Sequence, residues 1–332
     1  MAGPDPAVAQ VRSAVRPALV ASEQRVLVAC SGGADSLALA AAVAFEAPRA
    51  GVPAGAVTVD HGLQPGSAER ARRTAALLGN LGLDPVTVVR VEVGRAGGPE
   101  AAARTARYRA LRTAAREQRA RIALGHTLDD QAETVLLGLG RGSGPRSVAG
   151  MVEYAPPFWR PLLGVRRAET RAACADQGLP VWDDPWNADP AYTRVRLRAD
   201  VLPLLEEVLG GGVAPALART AALLREDLDA LDALAAVAHA RLADDGDLDA
   251  RGAAELPAAL RRRVLRAWLR DGGVPDVQAV HLHAVDALLV AWRGQGRVDL
   301  PSGAGVVRAS GRLVLRPGGS GAKPRHHEEH RP

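Results

Sequence analysis

Cysteine is scarce in this 332-residue sequence: Cys30 and Cys174 are the only two, and they stand in no C-x-x-C pair. That argues against a disulfide framework, a zinc site or an iron–sulfur cluster, and for a reducing compartment. Aromatic residues make up only 3%, so the cores must be built of Ala, Leu and Val, which the 47% hydrophobic content supplies. Lysine is almost missing as well; Lys323 is the sole lysine among 42 basic residues. Arginine suits bidentate phosphate contacts, although a compositional bias explains the excess equally well. No apolar run reaches the roughly 18 residues of a membrane span, and Met1 to Arg16 has no apolar signal core. A soluble cytoplasmic protein is therefore expected. The length predicts two domains, and the formal net charge of +5 admits a polyanionic partner.

The chain is organised around Val26-Leu-Val-Ala-Cys-Ser-Gly-Gly-Ala-Asp-Ser36. A β-branched run stops at a Ser-Gly-Gly turn and an Ala/Leu helix pattern follows at once, so a strand, a loop and a helix are predicted. Gly32 and Gly33 let anionic oxygens approach the backbone N–H groups. Ser31 and Ser36 add hydroxyls, and the helix opening through Ala34 and Asp35 presents free N–H groups and a positive dipole end. Together these form a cradle of phosphate or pyrophosphate size. The lysine of a Walker A loop is lacking. S-G-G-x-D-S instead resembles the PP-loop of ATP pyrophosphatases, which implies ATP cleaved between its α and β phosphates.

Along the chain, a helix is expected at 7–21, strands at 25–30, 56–60, 86–93 and 122–125, and helices between them. Asp60 and His61 end the second strand, where ligands of doubly wound sheets bind. Asp60 could meet ribose or adenine, or simply cap a turn. Arg104, Arg107 and Tyr108 lie three and four apart on one helix face, a solvated face or one turned to ATP or RNA. Gly125-His126-Thr-Leu-Asp129-Asp130 closes the fourth strand. Thr127 and Asp130 have capping-box spacing. Ala132, Val135, Leu136 and Leu139 are read as the buried stripe, with Asp130, Glu133 and Thr134 projecting elsewhere. Beside an ATP site, carboxylates hold Mg²⁺ or accept a proton. Arg141 and Arg146 lie in a Gly-rich loop suited to phosphate contacts. Trp182 to Thr193 is an aromatic, acidic, Pro-rich loop, and Arg194, Arg196 and Arg198 alternate after it, a pattern that fits RNA backbone contact and base stacking.

The expected fold class is α/β: a doubly wound, mostly parallel sheet in residues 1–209. Gly210-Gly-Gly212 reads as a linker to a smaller, mainly helical domain over 210–316, with hairpin-like strands near 297–300, 305–309 and 312–315. The tail, 317–332, reads as disordered; its His326, His327 and His330 fit a solvated segment better than a metal site.

The blocks S-G-G-A-D-S, V-D-H-G-L, A-R-T-A-R-Y-R-A-L, G-H-T-L-D-D-Q-A-E-T, R-G-S-G, R-P-L-L and W-D-D-P-W-N-A-D-P-A-Y-T-R occur in that order. Across residues 25–205 the chain resembles the tRNA(Ile)-lysidine synthetases. The resemblance implies ATP-dependent attachment of free L-lysine to the wobble cytidine of a CAU-anticodon isoleucine tRNA. On that reading the cradle of residues 31–36 holds pyrophosphate, Mg²⁺ is shared by Asp35 and Asp130, and Asp129, Asp130 or His126 assists deprotonation of lysine. Arg104 and Arg107 stabilise phosphate charge, Asp60, His61 and Gly125 border the nucleotide, and Arg141, Arg146, Arg194, Arg196 and Arg198 meet tRNA. Two departures stand out. The family's Asn-x-Ile-Arg is here Arg194-Val-Arg196-Leu-Arg198, and Pro145-Arg146-Ser147 follows R-G-S-G. The oligomeric state stays open, a homodimer included. The alternatives are another PP-loop adenylating enzyme, either a tRNA thiolase or a small-molecule synthetase, and a catalytically inert RNA-binding module. The two isolated cysteines are badly placed for a thiolase. The intact PP-loop argues against an inert module.

Overall fold

A computed structural model of the chain describes residues 3–21, 24–94, 98–316 and 318. Apart from Gly318, the tail over 317–332, with its three histidines, lies outside the described residues. Two compact units divide at Leu224 and Arg225.

In the first unit the chain runs α1 (Pro6–Val20), β1 (Val26–Ala29), α2 (Ala34–Glu46), β2 (Ala54–Asp60), α3 (Ser67–Asn80), β3 (Val86–Arg90), α4 (Pro99–Glu117), β4 (Arg121–Leu124) and α5 (Leu128–Gly140). It continues through α6 (Pro145–Val148), β5 (Tyr154–Ala155), β6 (Phe158–Trp159), α7 (Arg167–Asp176), α8 (Thr193–Arg196) and α9 (Leu202–Val208) into the long helix α10 (Val213–Leu242). The sheet order is β3-β2-β1-β4-β6-β5. All neighbouring strands are parallel except β5 and β6. Val26 pairs with Ala54 on one side and Arg121 on the other, so the central strand β1 is flanked by β2 and β4. The connections leaving β1 and β4 turn to opposite sides there, which opens the ligand crevice at their carboxyl ends.

Both faces of this sheet are covered, as its near-continuous Val, Leu and Ala strands require. One face carries α1, α2 and α7, with Val15, Leu19, Leu37, Leu39 and Val43 fully buried. On the other, Leu111, Ala114 and Ala115 of α4 pack on Leu27, Val57, Ile122 and Phe158. Trp159 is the largest fully buried side chain, and the small Ala and Leu residues do most of the filling.

The first turns of α10 bury Val213 and Ala214 beside Ala132 and Leu202. This packing is why the unit extends past the triple glycine, into α10, and ends at Leu224.

The second unit continues α10 and adds β7 (Ala243–Asp244), β8 (Asp247–Asp249), α11 (Ala250–Ala254), α12 (Ala258–Asp271), α13 (Ala279–Val290), β9 (Val298–Asp299), β10 (Gly305–Ala309) and β11 (Arg312–Arg316). Its five strands lie in the order β7-β8-β11-β10-β9, all antiparallel. Its core holds Leu248, Val264, Leu265, Leu269, Val285, Val306 and Leu313. Among the described residues no single helix is long and apolar enough to cross a membrane.

Candidate active site

The cradle forms where β1 ends. Gly32 has φ of 89°, a left-handed conformation that glycine adopts without strain. Gly33 caps α2 and brings no side-chain oxygen to do so. The N–H groups of the first turn of α2 are therefore left pointing at the loop. Ser36 Oγ donates to Gly33 O at 2.9 Å and accepts from Ser31 N–H at 3.2 Å, which fixes the loop's curvature. The Cys30 thiol donates to the same oxygen at 3.4 Å. Gly125, at the end of β4, packs directly on this turn: a Cβ there would lie 2.9 Å from the Asp35 carbonyl carbon and oxygen. The strand ends of β1 and β4 thus meet at the first turn of α2, and the close approach requires glycine. The aromatic loop closes over the other side, with Trp182 N–H donating to Gly32 O at 2.9 Å. The Arg70 guanidinium stacks 3.7 Å from the Trp182 ring centroid.

Beside the cradle lies a carboxylate cluster that was only half visible in the sequence. Thr127 and Asp130 do form a capping box at the start of α5. Thr127 N–H donates to Asp130 Oδ2 at 2.8 Å, while Asp130 Oδ1 accepts from Arg167 Nη2 at 2.7 Å. One carboxylate therefore serves both the helix start and the site. Arg167 also lies 3.5 Å from Asp35 Oδ2 and 3.4 Å from Glu133 Oε1. Its backbone N–H donates to Asp129 Oδ2 at 2.7 Å. Arg166 grips Asp129 through Nε and Nη2 at 3.0–3.2 Å. The Thr170 hydroxyl donates to Asp35 Oδ1 and to Arg167 O. Sequence reasoning did not single out Arg166, Arg167 or Thr170. The only signal was the pair of arginines opening a helix, which ordinarily reads as solvated.

Glu133 corrects the sequence reading of α5. Expected to project away from the core, it is fully buried, with Gln131 buried near it; Ala132 and Val135 of the expected stripe are buried too, whereas Leu139 is 54% exposed. Glu133 accepts from Arg198 Nε at 2.9 Å and lies 3.7 Å from Arg194 Nη1. Arg194 and Arg198 therefore turn inward onto α5. Arg196 stays exposed and pairs with Asp200 at 3.3 Å. Arg141, in the turn after α5, and Arg146, in the short helix α6 rather than in the expected loop, are both exposed.

Electrostatics separates these groups. Burial pushes the Asp35 carboxyl up, and the negative charge of Asp130 adds to that, against the Thr170 and Arg167 contacts. Burial also works to raise Asp130, but Arg167, the Thr127 hydrogen bonds and His126 outweigh it and hold Asp130 below the usual range. His126 is driven down to about 3 by burial and by the positive charges of Arg107, Arg160 and Arg104, with Asp130 opposing. It is a neutral imidazole at pH 7 and a feeble base. His61 is lowered by burial and by Arg107. Asp60 is buried, with its Oδ1 accepting from Gly62 N–H at 2.9 Å, so it caps the turn after β2.

Four buried nitrogens beside this crevice have no hydrogen-bond partner: Nδ1 of His61 and His126, and Nε of Arg107 and Arg160. Orphaned donors next to a glycine cradle fit the oxygens of a nucleotide phosphate. The carboxylates fit Mg²⁺ differently. Among the described residues no group of three or more His, Cys, Asp or Glu is arranged to hold a metal by itself. Mg²⁺ in nucleotide enzymes commonly takes one or two carboxylates plus substrate phosphates. Asp35 and Asp130 supply two, with the Arg167 guanidinium now balancing their charge.

Comparison with known proteins places this arrangement. Residues 6–205 match the family described as PP-loop domain, and residues 248–314 match the TilS substrate binding domain. The chain is 55% identical over 321 residues to the tRNA(Ile)-lysidine synthase of Thermobifida fusca, covering 95% of this chain and 99% of that protein. It is 53% identical over 351 residues to the tRNA(Ile)-lysidine synthase of Streptomyces coelicolor, covering 95% and 100%. The U34-tRNA thiolase NcsA of Methanococcus maripaludis shares the fold, with a TM-score of 0.55 at 19% identity over 66% of this chain and 78% of that one. A cradle after β1, a carboxylate cluster at α5 and both domain matches in sequence converge on one assignment: the chain belongs to the tRNA(Ile)-lysidine synthase family.

Proposed function

We propose that this protein joins free L-lysine to C2 of the wobble cytidine in a CAU-anticodon tRNA(Ile), consuming ATP and releasing AMP and pyrophosphate. The observation that carries the reading is the juxtaposition of an anion cradle, residues 31–36, with the carboxylates of Asp35, Asp129 and Asp130. An anionic co-substrate and a cationic one need those two surfaces side by side.

The C2 oxygen of cytosine is a poor leaving group. Attack of that oxygen on the α-phosphorus of ATP expels pyrophosphate and turns the oxygen into a good one. The N–H groups of the first turn of α2 and the hydroxyls of Ser31 and Ser36 receive the pyrophosphate. Arg107 and Arg104 face the phosphate charge. The ε-amine of lysine then attacks C2, the C2–O bond breaks and AMP leaves. That amine has a solution pKa near 10.4 and must first lose a proton. Asp35, raised by burial, is the stronger candidate base, whereas Asp130, held below the usual carboxylate range, and His126 are weaker ones. Mg²⁺, held by Asp35 and Asp130, would neutralise phosphate charge. We assign catalysis to residues 1–209, tRNA recognition to 210–316 and the site of action to the cytoplasm.

The test is incorporation of labelled lysine into a CAU-anticodon tRNA(Ile) transcript with ATP and Mg²⁺, beside elongator methionine tRNA. Label in the isoleucine transcript alone is expected, and Asp35→Ala is expected to abolish it while the protein stays folded. Pyrophosphate release without label in either tRNA would assign the chain to another adenylating reaction. Light scattering of the same preparation distinguishes a monomer from a homodimer.

A further inference from the structure

Helix α4 carries five arginines, Arg104, Arg107, Arg109, Arg112 and Arg116, and its only carboxylates stand at its two ends, Glu100 and Glu117. Elsewhere the arginine-rich helices are balanced. In α3, Arg72 and Arg73 pair with Glu69; in α12, Arg261 and Arg262 pair with Asp286, and Arg263 with Asp232. Among the described residues no arginine of α4 has a carboxylate partner. The C-terminal half of α4 is committed to the sheet through Leu111, Ala114 and Ala115. Arg109, Arg112 and Arg116, at i, i+3 and i+7, share the opposite, exposed face.

The face is also pre-ordered. The Arg112 guanidinium lies 5.2 Å from the Phe158 ring centroid and 5.9 Å from that of Tyr108. Arg104 sits 4.9 Å from the Tyr108 centroid and donates to its hydroxyl at 3.4 Å. Stacking on an aromatic face holds a guanidinium in place and leaves its charge and fork of N–H donors available.

Position along the sheet gives the face a direction. The connection from β3 brings α4 in at the carboxyl edge, where Arg107 stands close enough to His61 and His126 to lower both. The helix then runs back toward the amino edge. From Arg104 to Arg116 it covers about 18 Å at about 1.5 Å per residue.

We propose that the exposed face of α4, Arg109, Arg112 and Arg116, is a track for the phosphate backbone of the tRNA stem that leads away from the target base. The inference rests on the proposed tRNA substrate. A row of aligned cations with no carboxylate partner among the described residues, on the helix that starts at the crevice, matches a polyanion whose one reactive base enters that crevice. It gives position without reading sequence, as phosphate contacts do.

The test is filter binding of the CAU-anticodon tRNA(Ile) transcript over a salt series, using the full-length protein, an Arg109→Gln/Arg112→Gln/Arg116→Gln variant and the corresponding triple lysine variant. Losing three phosphate contacts is expected to flatten the slope of log K against log salt by about 2 to 3. Affinity should fall at least tenfold at low salt. The lysine variant is expected to keep the wild-type slope, because point charge suffices for counterion release, and the single Arg112→Gln variant to lose about one unit. A glutamine variant with an unchanged slope overturns the track, and that is also the result if this face serves an acidic protein. If wild type incorporates lysine into tRNA while the slope is unchanged, only the track falls. If wild type binds no tRNA, the proposed function falls with it.

Discussion

The Arg167 guanidinium lies 2.7 Å from Asp130 Oδ1, and both side chains are 17% exposed. The same guanidinium reaches Asp35 and Glu133, so one cation ties the cradle helix α2 to α5. Removing one partner of a buried ion pair leaves the others uncompensated, which commonly costs about 3–5 kcal/mol. Arg167→Ala is accordingly expected to lower the unfolding free energy by about 3 kcal/mol and to cut lysine incorporation by more than tenfold. Denaturant unfolding and a labelled-lysine assay check the two effects separately. Loss of activity without loss of stability would mean that Arg167 acts on substrate rather than through the carboxylates.

Gly125 has no room for a side chain, because the atoms it would meet are the backbone of Asp35 and Ser36 at 2.9–3.0 Å. Backbone cannot yield as the far end of a flexible side chain can. Gly125→Ala is expected to push the first turn of α2 out of position, at an overpacking cost of about 1–3 kcal/mol. ATP-dependent pyrophosphate release should fall far more than the melting temperature. A wild-type KM for ATP in this variant would show that the cradle tolerates displacement.

Much of this architecture was legible in the chain. The change of period at Ser31 located the strand, the cradle and the helix, because each is a local matter of hydrophobic spacing and glycine. Thr127 and Asp130 announced their capping box for the same reason. What the sequence hid was tertiary. Arg167 lies 37 residues from Asp130, and nothing near it in sequence says that its charge is buried. Glu133 was misjudged because a single apolar stripe was assumed for α5. That helix is contacted on two sides, by Leu202, Val213 and Ala214 on one and by Arg167, Arg194 and Arg198 on the other. The second side is polar, so hydrophobic periodicity cannot report it.

Arg196 and Arg198 are two residues apart and are expected to behave differently. Arg198 serves the fully buried Glu133 at 2.9 Å, whereas Arg196 makes an exposed ion pair with Asp200. Arg198→Ala should destabilise the protein by about 1–3 kcal/mol, the range for leaving a buried partner short of one charged hydrogen bond. Arg196→Ala should change stability by no more than about 0.5 kcal/mol, and any effect should appear in tRNA affinity. Thermal melts with tRNA binding on both variants provide the comparison.

His126 makes stability depend on pH. Its folded pKa is about 3, against an ordinary value of 6.5. Between those values the unfolded chain binds a proton that the folded protein excludes. This contribution to stability is constant above pH 6.5 and is lost progressively as pH falls toward 3. At pH 5 the loss amounts to about 2 kcal/mol. His126→Asn, which has no proton to take up, should show a correspondingly flatter decline between pH 7 and 5 in urea unfolding. Parallel curves for variant and wild type would mean that the imidazole is hydrated in the folded state.

Thr170 tunes Asp35. Its hydroxyl donates to Asp35 Oδ1 and favours the charged carboxylate, while burial and Asp130 favour the neutral form. Thr170→Val keeps the shape and removes the donor, so the Asp35 pKa should rise further. If Asp35 must be ionised to hold Mg²⁺ or take a proton, the acid limb of pyrophosphate release moves to higher pH in the variant. The rate on the alkaline side stays close to wild type. A pH–rate profile of both proteins reads this directly. A uniform loss at every pH would instead assign Thr170 to packing between α2 and α7. An unshifted acid limb would remove Asp35 from the titrating groups of the reaction.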